Sequence, residues 1–260
     1  MSGAPTVVVH HTGVLLAQAA AARLVTRLVD VQSSGRIAQL VLTGGGLSRD
    51  VHRAVRDSPA CSAVDWRRVE VWWGDERFVP ADDQERNESQ ARADLLDAVP
   101  VDPARVHAMA ASNGAYGDDP DAAAAAYADE LAGRAAPEDH GDGPTFDVLM
   151  LGVGPDGHVA SLFPEHPATH ETRSVAAVRG SPKPPPTRIT LTFPSLARAR
   201  EVWFLVSGDA KAAAVRNALE GAGQLQVPAA GPRGLDRTLW LLDHDAAAAV
   251  PSDLPRAASP

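Results

Sequence analysis

Residues 146–164 read Phe146-Asp147-Val148-Leu149-Met150-Leu151-Gly152-Val153-Gly154-Pro155-Asp156-Gly157-His158-Val159-Ala160-Ser161-Leu162-Phe163-Pro164. The apolar run at 148–151 stops at a glycine-rich turn. A short apolar run bounded by glycine reads as a strand buried on both faces. The turn delivers Asp156 and His158 to the end of that strand, which is where ligands bind in open α/β sheets. His158 is the only one of the 9 histidines flanked by turn glycines at such a point. Histidine is the side chain best matched to proton transfer near neutral pH.

Gly152-x-Gly154-x-x-Gly157 also spells a dinucleotide-binding fingerprint. That reading needs a helix to begin in the loop and an acidic residue about 20 positions on. Pro164 and Pro167 follow too soon for such a helix, and residues 172–190 hold no Asp or Glu. Nicotinamide binding is therefore discounted.

Outward from this stretch, strand-like and helix-like segments alternate, which predicts an α/β fold with a mainly parallel, Rossmann-like sheet. Strands are expected at 7–10, 37–42, 69–73, 106–109, 147–151, 187–192, 202–206 and 238–242. Helices are expected at 14–31, after Gly46, at 87–98, 121–135, 210–219 and 245–250. Residues 112–120 and 221–236 read as loops. No internal repeat and no strong boundary is visible, so residues 1–250 read as a single domain and 251–260 as a disordered tail.

The 260 residues suffice for one large core. A formal net charge of −9 argues against a general nucleic-acid binder, which carries a basic surface. It leaves a locally positive pocket for a small anion open. Cys61 is the only cysteine, so no internal disulfide forms. No signal-peptide pattern opens the chain, and no run of 18 apolar residues occurs. The expectation is a cytoplasmic protein with no membrane partner, by default a monomer.

Four further segments carry charge or glycine at element ends. Thr43-Gly44-Gly45-Gly46 lies between a strand and a helix, where backbone amides form an anion site. A tight connecting turn explains it equally well. Gly74-Asp75-Glu76-Arg77 ends another strand. Arg77 offers a phosphate fork, and the two carboxylates read either as an acid–base pair or as orienting groups. Ser181-Pro182-Lys183-Pro184-Pro185-Pro186-Thr187-Arg188 reads as a stiff loop presenting Arg188. Lys211, after Ser207-Gly208, falls in the first turn of a helix, where a cation is unfavourable unless an anion is bound. The histidines show no metal-ligand spacing, and no Gly-x-Ser-x-Gly elbow occurs. Zinc and covalent serine mechanisms are not expected.

Taken in order, these segments resemble the 6-phosphogluconolactonase family. The matching stretches are Leu42-Thr43-Gly44-Gly45-Gly46, Trp73-Gly74-Asp75-Glu76-Arg77-Phe78-Val79-Pro80, Asn87-Glu88-Ser89-Gln90-Ala91, the 151–164 turn, Lys183-Pro184-Pro185-Pro186-Thr187-Arg188, and Ser207-Gly208 with Lys211. The resemblance covers about residues 7–245. It implies one three-layer α/β domain and hydrolysis of 6-phospho-D-glucono-1,5-lactone without metal or organic cofactor. His158 would be the general base, and Asp156 would orient it or cap the turn. By the same resemblance Arg77, Arg188 and Lys211 hold the phosphate with Thr43, Gly44 and Gly45. Which of the three cations meets the lactone carbonyl is left open.

Related glucosamine-6-phosphate deaminases share the glycine loop and the histidine turn. They differ in carrying a Glu shortly after the histidine, whereas 159–163 here hold none. That difference favours lactone hydrolysis over isomerisation. A non-catalytic sugar-phosphate sensor is the other alternative, and the chain shows no spare basic segment for a DNA-binding module.

Overall fold

The computed structural model describes residues 4–137, 139, 141–251 and 256–258. Along the chain run β1 (Thr6–His10), α1 (Gly13–Ser33), β2 (Ala38–Leu42), α2 (Gly46–Asp57), β3 (Val69–Trp73), β4 (Asp75–Arg77), α3 (Asn87–Asp94), α4 (Pro120–Gly133) and β5 (Phe146–Gly152). They are followed by β6 (Val175–Val178), β7 (Arg188–Leu191), α5 (Phe193–Leu196), β8 (Ala199–Val206), α6 (Ala212–Leu219), β9 (Arg237–Asp243) and β10 (Arg256–Ala258).

The main sheet has the order β10-β1-β9-β8-β5-β2-β3. Every neighbouring pair in it is parallel. A parallel sheet must be covered on both faces, and the central strands are written accordingly. In β5, Val148 and Met150 enter one core while Leu149 and Leu151 enter the other. That is the period of two of a pleated strand. The expected three-layer α/β fold with a mainly parallel sheet is what the chain forms.

On one face lie α1, α2 and α3. Thr12 caps α1 by accepting the Leu15 N–H at 3.2 Å. Leu16, Ala20, Leu24 and Leu28 then recur at helical spacing and are fully buried. Each buried leucine contributes about 1.5–3 kcal/mol. On the other face lie α4, α6 and a small antiparallel sheet of order β4-β7-β6. Gly74 joins the two sheets. Its N–H donates to Leu42 O at 3.0 Å, and its carbonyl accepts from Leu191 N at 2.8 Å.

The helix after β2 packs on one face, and the chain after β5 packs on the other. The crevice between the carboxyl ends of β2 and β5 is thus a topological switch point, the usual ligand position in such sheets.

Several local expectations are corrected. The segment expected as a strand at 187–192 pairs only within the small antiparallel sheet, whose other two strands were not foreseen. The brief strand at 106–109 reduces to one bridge, Val106 to Val71. The helix expected at 87–98 stops at Asp94, because Leu95 leaves helical geometry (φ −148°, ψ −58°) and turns into the core with Leu96. The expected helix at 245–250 is a series of turns closed on the Asp243 carboxylate and carbonyl. Within the tail expected to be disordered, β10 pairs with β1, and its backbone register is Val7 with Arg256. Residues 252–255 and 259–260 of that tail lie outside the described residues.

Candidate active site

A cavity of about 290 Å3 opens at the carboxyl ends of β2 and β5. Thr43, Gly44, Gly45, Arg77, His158, Arg188 and Lys211 all line it. They come from five segments of the chain that share only the switch point. Asp156 stands directly behind His158.

The turn after β5 is built around that pair. Gly157 has φ +85°, a conformation that favours glycine. The Gly157 N–H donates to Gly154 O at 2.9 Å, and the Gly154 N–H donates to His158 O at 3.0 Å. The His158 Nδ1 lies 2.5 Å from Asp156 Oδ1. Burial alone would raise the Asp156 carboxyl. The hydrogen bond from His158, the imidazole's charge and that of Lys183 outweigh burial and hold it far below the usual carboxylate range. An ionised Asp156 only accepts, so Nδ1 carries the proton in this contact. Phe163 packs on the imidazole, with ring centroids 4.6 Å apart.

The glycine loop ends at the N-terminus of α2. Gly45 is its N-cap at φ +98°, and no side chain caps the helix. The first-turn amides therefore lack an internal partner beside the cavity. Gly44 packs against Asn87, since a Cβ there would lie 1.9 Å from Asn87 Oδ1. Beneath the loop, Ser48 Oγ donates to Thr43 O at 2.6 Å.

Arg77 and Arg188 face each other across the β4–β7 pair, in register. The Arg77 guanidinium is tied to Glu85 O. Arg188 donates to Pro184 O at 3.1 Å and to Lys183 and Pro185 O at 3.2 Å each. The same guanidinium lies 3.8 Å from Asp75. Burial pulls the Arg188 pKa down, against the attraction of Asp75. Lys211 closes a single 3-10 turn and precedes α6, rather than standing in the first turn of a longer helix. Burial lowers its pKa, and the like charge of Lys183 adds to that effect while Asp243 opposes it.

The two carboxylates left open at 75–76 separate in space. Asp75 lines the cavity and takes a hydrogen bond from Ser161 Oγ at 2.7 Å. Glu76 does not line it. It is buried and accepts the backbone N–H groups of Arg77, Asn87 and Glu88 at 2.7–2.9 Å, pinning β4 to the start of α3. Burial pushes the Glu76 carboxyl up to about 7, against Arg86 and these amides.

Sequence reasoning assigned no role to two other lining residues, Asn87 and Lys183. Both stand in segments already singled out, but only their place opposite Gly44 and His158 marks them. A larger cavity, about 720 Å3, sits at the ends of β1 and β9 among His10, His11, Leu15 and His244. It contains none of these motif residues, so size alone does not locate the chemistry. Among the described residues no group of three or more His, Cys, Asp or Glu side chains is arranged to hold a metal ion.

The profile of the family described as glucosamine-6-phosphate isomerases/6-phosphogluconolactonase matches residues 12–240, which includes every cavity residue. The chain belongs to this family. A curated 6-phosphogluconolactonase of Streptomyces coelicolor is 59% identical over 255 residues, 98% of each chain. One of Mycobacterium tuberculosis is 52% identical over 239 residues, covering 92% of this chain and 95% of the other. Among solved structures, the 6-phosphogluconolactonase of Trypanosoma brucei is 30% identical, with TM-score 0.78 over 95% of this chain and 99% of that one. A solved glucosamine-6-phosphate deaminase has TM-score 0.74 at 22% identity over 94% of this chain and 99% of that one, a likeness of fold alone. No helix among the described residues is long and apolar enough to cross a membrane.

Proposed function

We propose that the protein hydrolyses 6-phospho-D-glucono-1,5-lactone to 6-phosphogluconate. The observation that carries this reading is His158, its Nδ1 2.5 Å from Asp156 Oδ1, on a small cavity ringed by Arg77, Arg188 and Lys211. Near-full-length relatives bearing the 6-phosphogluconolactonase name support the choice of substrate.

Water attacks the lactone carbonyl carbon while His158 Nε2 takes its proton. The carbonyl oxygen becomes an oxyanion, met by a cation or loop amide of the cavity. The ring C–O bond then breaks, and the leaving ring oxygen takes the proton from the imidazolium. The new carboxylic acid ionises and releases one proton to solvent. Asp156 holds the imidazole in the tautomer and orientation that this needs. The phosphate sits against the Gly44–Gly45 loop and the cationic side chains, fixing the ring for attack. Residues of one chain complete the cavity, and we take the monomer to be the active unit.

The test generates the lactone in situ from glucose 6-phosphate with its dehydrogenase. Its disappearance is followed at a pH where spontaneous hydrolysis is slow. The expected result is acceleration that His158→Ala removes while the variant remains folded. No acceleration by folded wild-type protein overturns the reading. Fructose 6-phosphate formed from glucosamine 6-phosphate moves the assignment to the isomerase branch of the family.

A further inference from the structure

The stiff loop at 181–188 does more than present Arg188. Its backbone is clamped at Lys183. The Ser181 Oγ donates to Lys183 O at 2.9 Å and lies 3.3 Å from Lys183 N. The Arg188 guanidinium donates to the same carbonyl at 3.2 Å. Held there, the loop sends the Lys183 ammonium to the Nδ1 side of the imidazole, at the cavity wall. Lys183 Nζ lies 3.5 Å from Asp156 Oδ1 and 3.4 Å from His158 Nδ1. One carboxylate oxygen thus serves two partners, the imidazole and the ammonium.

We propose that Lys183 is a positioning residue that shares the Asp156 carboxylate with His158 and sets the pH at which the imidazole becomes free to act. The inference rests on the reading of His158 as the base. A lone carboxylate behind a histidine favours the imidazolium, whose Nε2 has no free pair to accept a proton. His107, elsewhere in this protein, shows that effect with a carboxylate on each ring nitrogen, and its pKa is raised. A histidine that must accept a proton near neutral pH needs the carboxylate for orientation but not its full charge. Lys183 supplies the counter-charge from the cavity wall, on the Nδ1 side of the ring.

Other charges face the same imidazole. Asp156 lies on its own turn, and Arg188 lies over the Phe163 ring at 5.7 Å. Arg77 and Asp75 reach the cavity from β4, and Lys211 reaches it from the segment after β8. Lys183 is the ammonium within hydrogen-bond range of the Asp156–His158 pair. Its side chain is 40% exposed, so water weakens its field.

The experiment is the pH dependence of kcat/KM for wild type, Lys183→Met and Lys183→Arg. Removing the positive charge favours the imidazolium, so the acid limb moves to higher pH. The expected displacement is about 0.5–1 pH unit, less than the one to three units of a buried charge pair. Lys183→Arg restores the wild-type limb, and Lys183→Met does not. An NMR titration of the His158 imidazole in Lys183→Met reads the same displacement without catalysis.

An unchanged acid limb and an unchanged titration overturn the inference. A raised KM with an unchanged profile also overturns it, because Lys183 would then be a substrate contact. His158→Gln separates the two readings. If that variant keeps full activity, the base assignment itself has failed. If it is inactive while Lys183→Met superimposes on wild type, only the role of Lys183 has.

Discussion

Gly154 and His158 are packed so closely that a Cβ on Gly154 would lie 2.0 Å from His158 Nδ1 and 2.4 Å from Asp156 Oδ1. The glycine is the floor on which the imidazole and its carboxylate meet. Gly154→Ala must push the ring away from Asp156 or break the turn. The expected outcome is a folded protein with kcat lowered by about 100-fold or more, since a misplacement of about 1 Å costs that much. Steady-state kinetics beside a thermal melt checks this. Full activity in Gly154→Ala would show that the pair need not hold its present geometry.

Arg77 lines the cavity, and its guanidinium lies 3.9 Å from the Glu85 carboxylate. Arg77→Ala should raise KM for the phosphorylated lactone by about 10- to 100-fold, the range of a charged hydrogen bond. A lactone without phosphate should be hydrolysed equally by both proteins. Equal losses on the two substrates would take the phosphate away from Arg77 and point it at the carbonyl.

His107 links the edge strand to α4 and makes stability depend on pH. Its ring lies 2.6 Å from both Glu70 and Glu130 and stacks on Trp72 at 3.8 Å. Burial pulls the imidazole pKa down. The hydrogen bonds and charges of Glu130 and Glu70 outweigh it, and the net shift is upward. Glu70, also bound by Arg105 and near Arg134, is shifted downward despite its burial. A raised histidine adds stability that is complete below its unfolded pKa of about 6.5 and is lost as pH rises through the folded value. A depressed Glu70 adds stability above about 4.5 that is lost on acidification. Urea unfolding should therefore show these contributions together between about pH 4.5 and 6.5, with a decline on the alkaline side. His107→Gln should flatten that alkaline decline; an unaltered slope would assign it elsewhere.

Ser161 is fully buried and gives its hydroxyl proton to Asp75 at 2.7 Å. Ser161→Ala leaves that carboxylate short of a donor, at a cost of about 1–3 kcal/mol. A calorimetric melt should show a lower Tm, and KM should rise as Asp75 relaxes its hold on Arg188. A variant as stable as wild type would mean that Asp75 is satisfied without Ser161.

The fold and the heart of the candidate site were legible because their causes are local. The run at 148–151 needs two apolar faces, and the following glycines need a turn that carries Asp156 and His158. Those constraints act within a dozen residues, so adjacent letters record them. The small antiparallel sheet escaped notice because β4 is only the three residues Asp75–Arg77, all charged. Neither alternation nor an apolar run marks such a strand; its partner β7 lies more than a hundred residues on.

What the sequence determined by itself was the alternation of buried strands and helices, the glycine turns at their ends, and the residue types delivered there. Only the tertiary structure decided which of these meet. It separated Asp75, in the cavity, from Glu76, which caps α3 beneath the surface. It brought Asn87 against Gly44 and Lys183 beside His158. The physical reason is one of range. Backbone conformation and burial pattern are set by neighbours along the chain, whereas charge pairing and cavity shape depend on strand order, which the packing of the whole sheet selects.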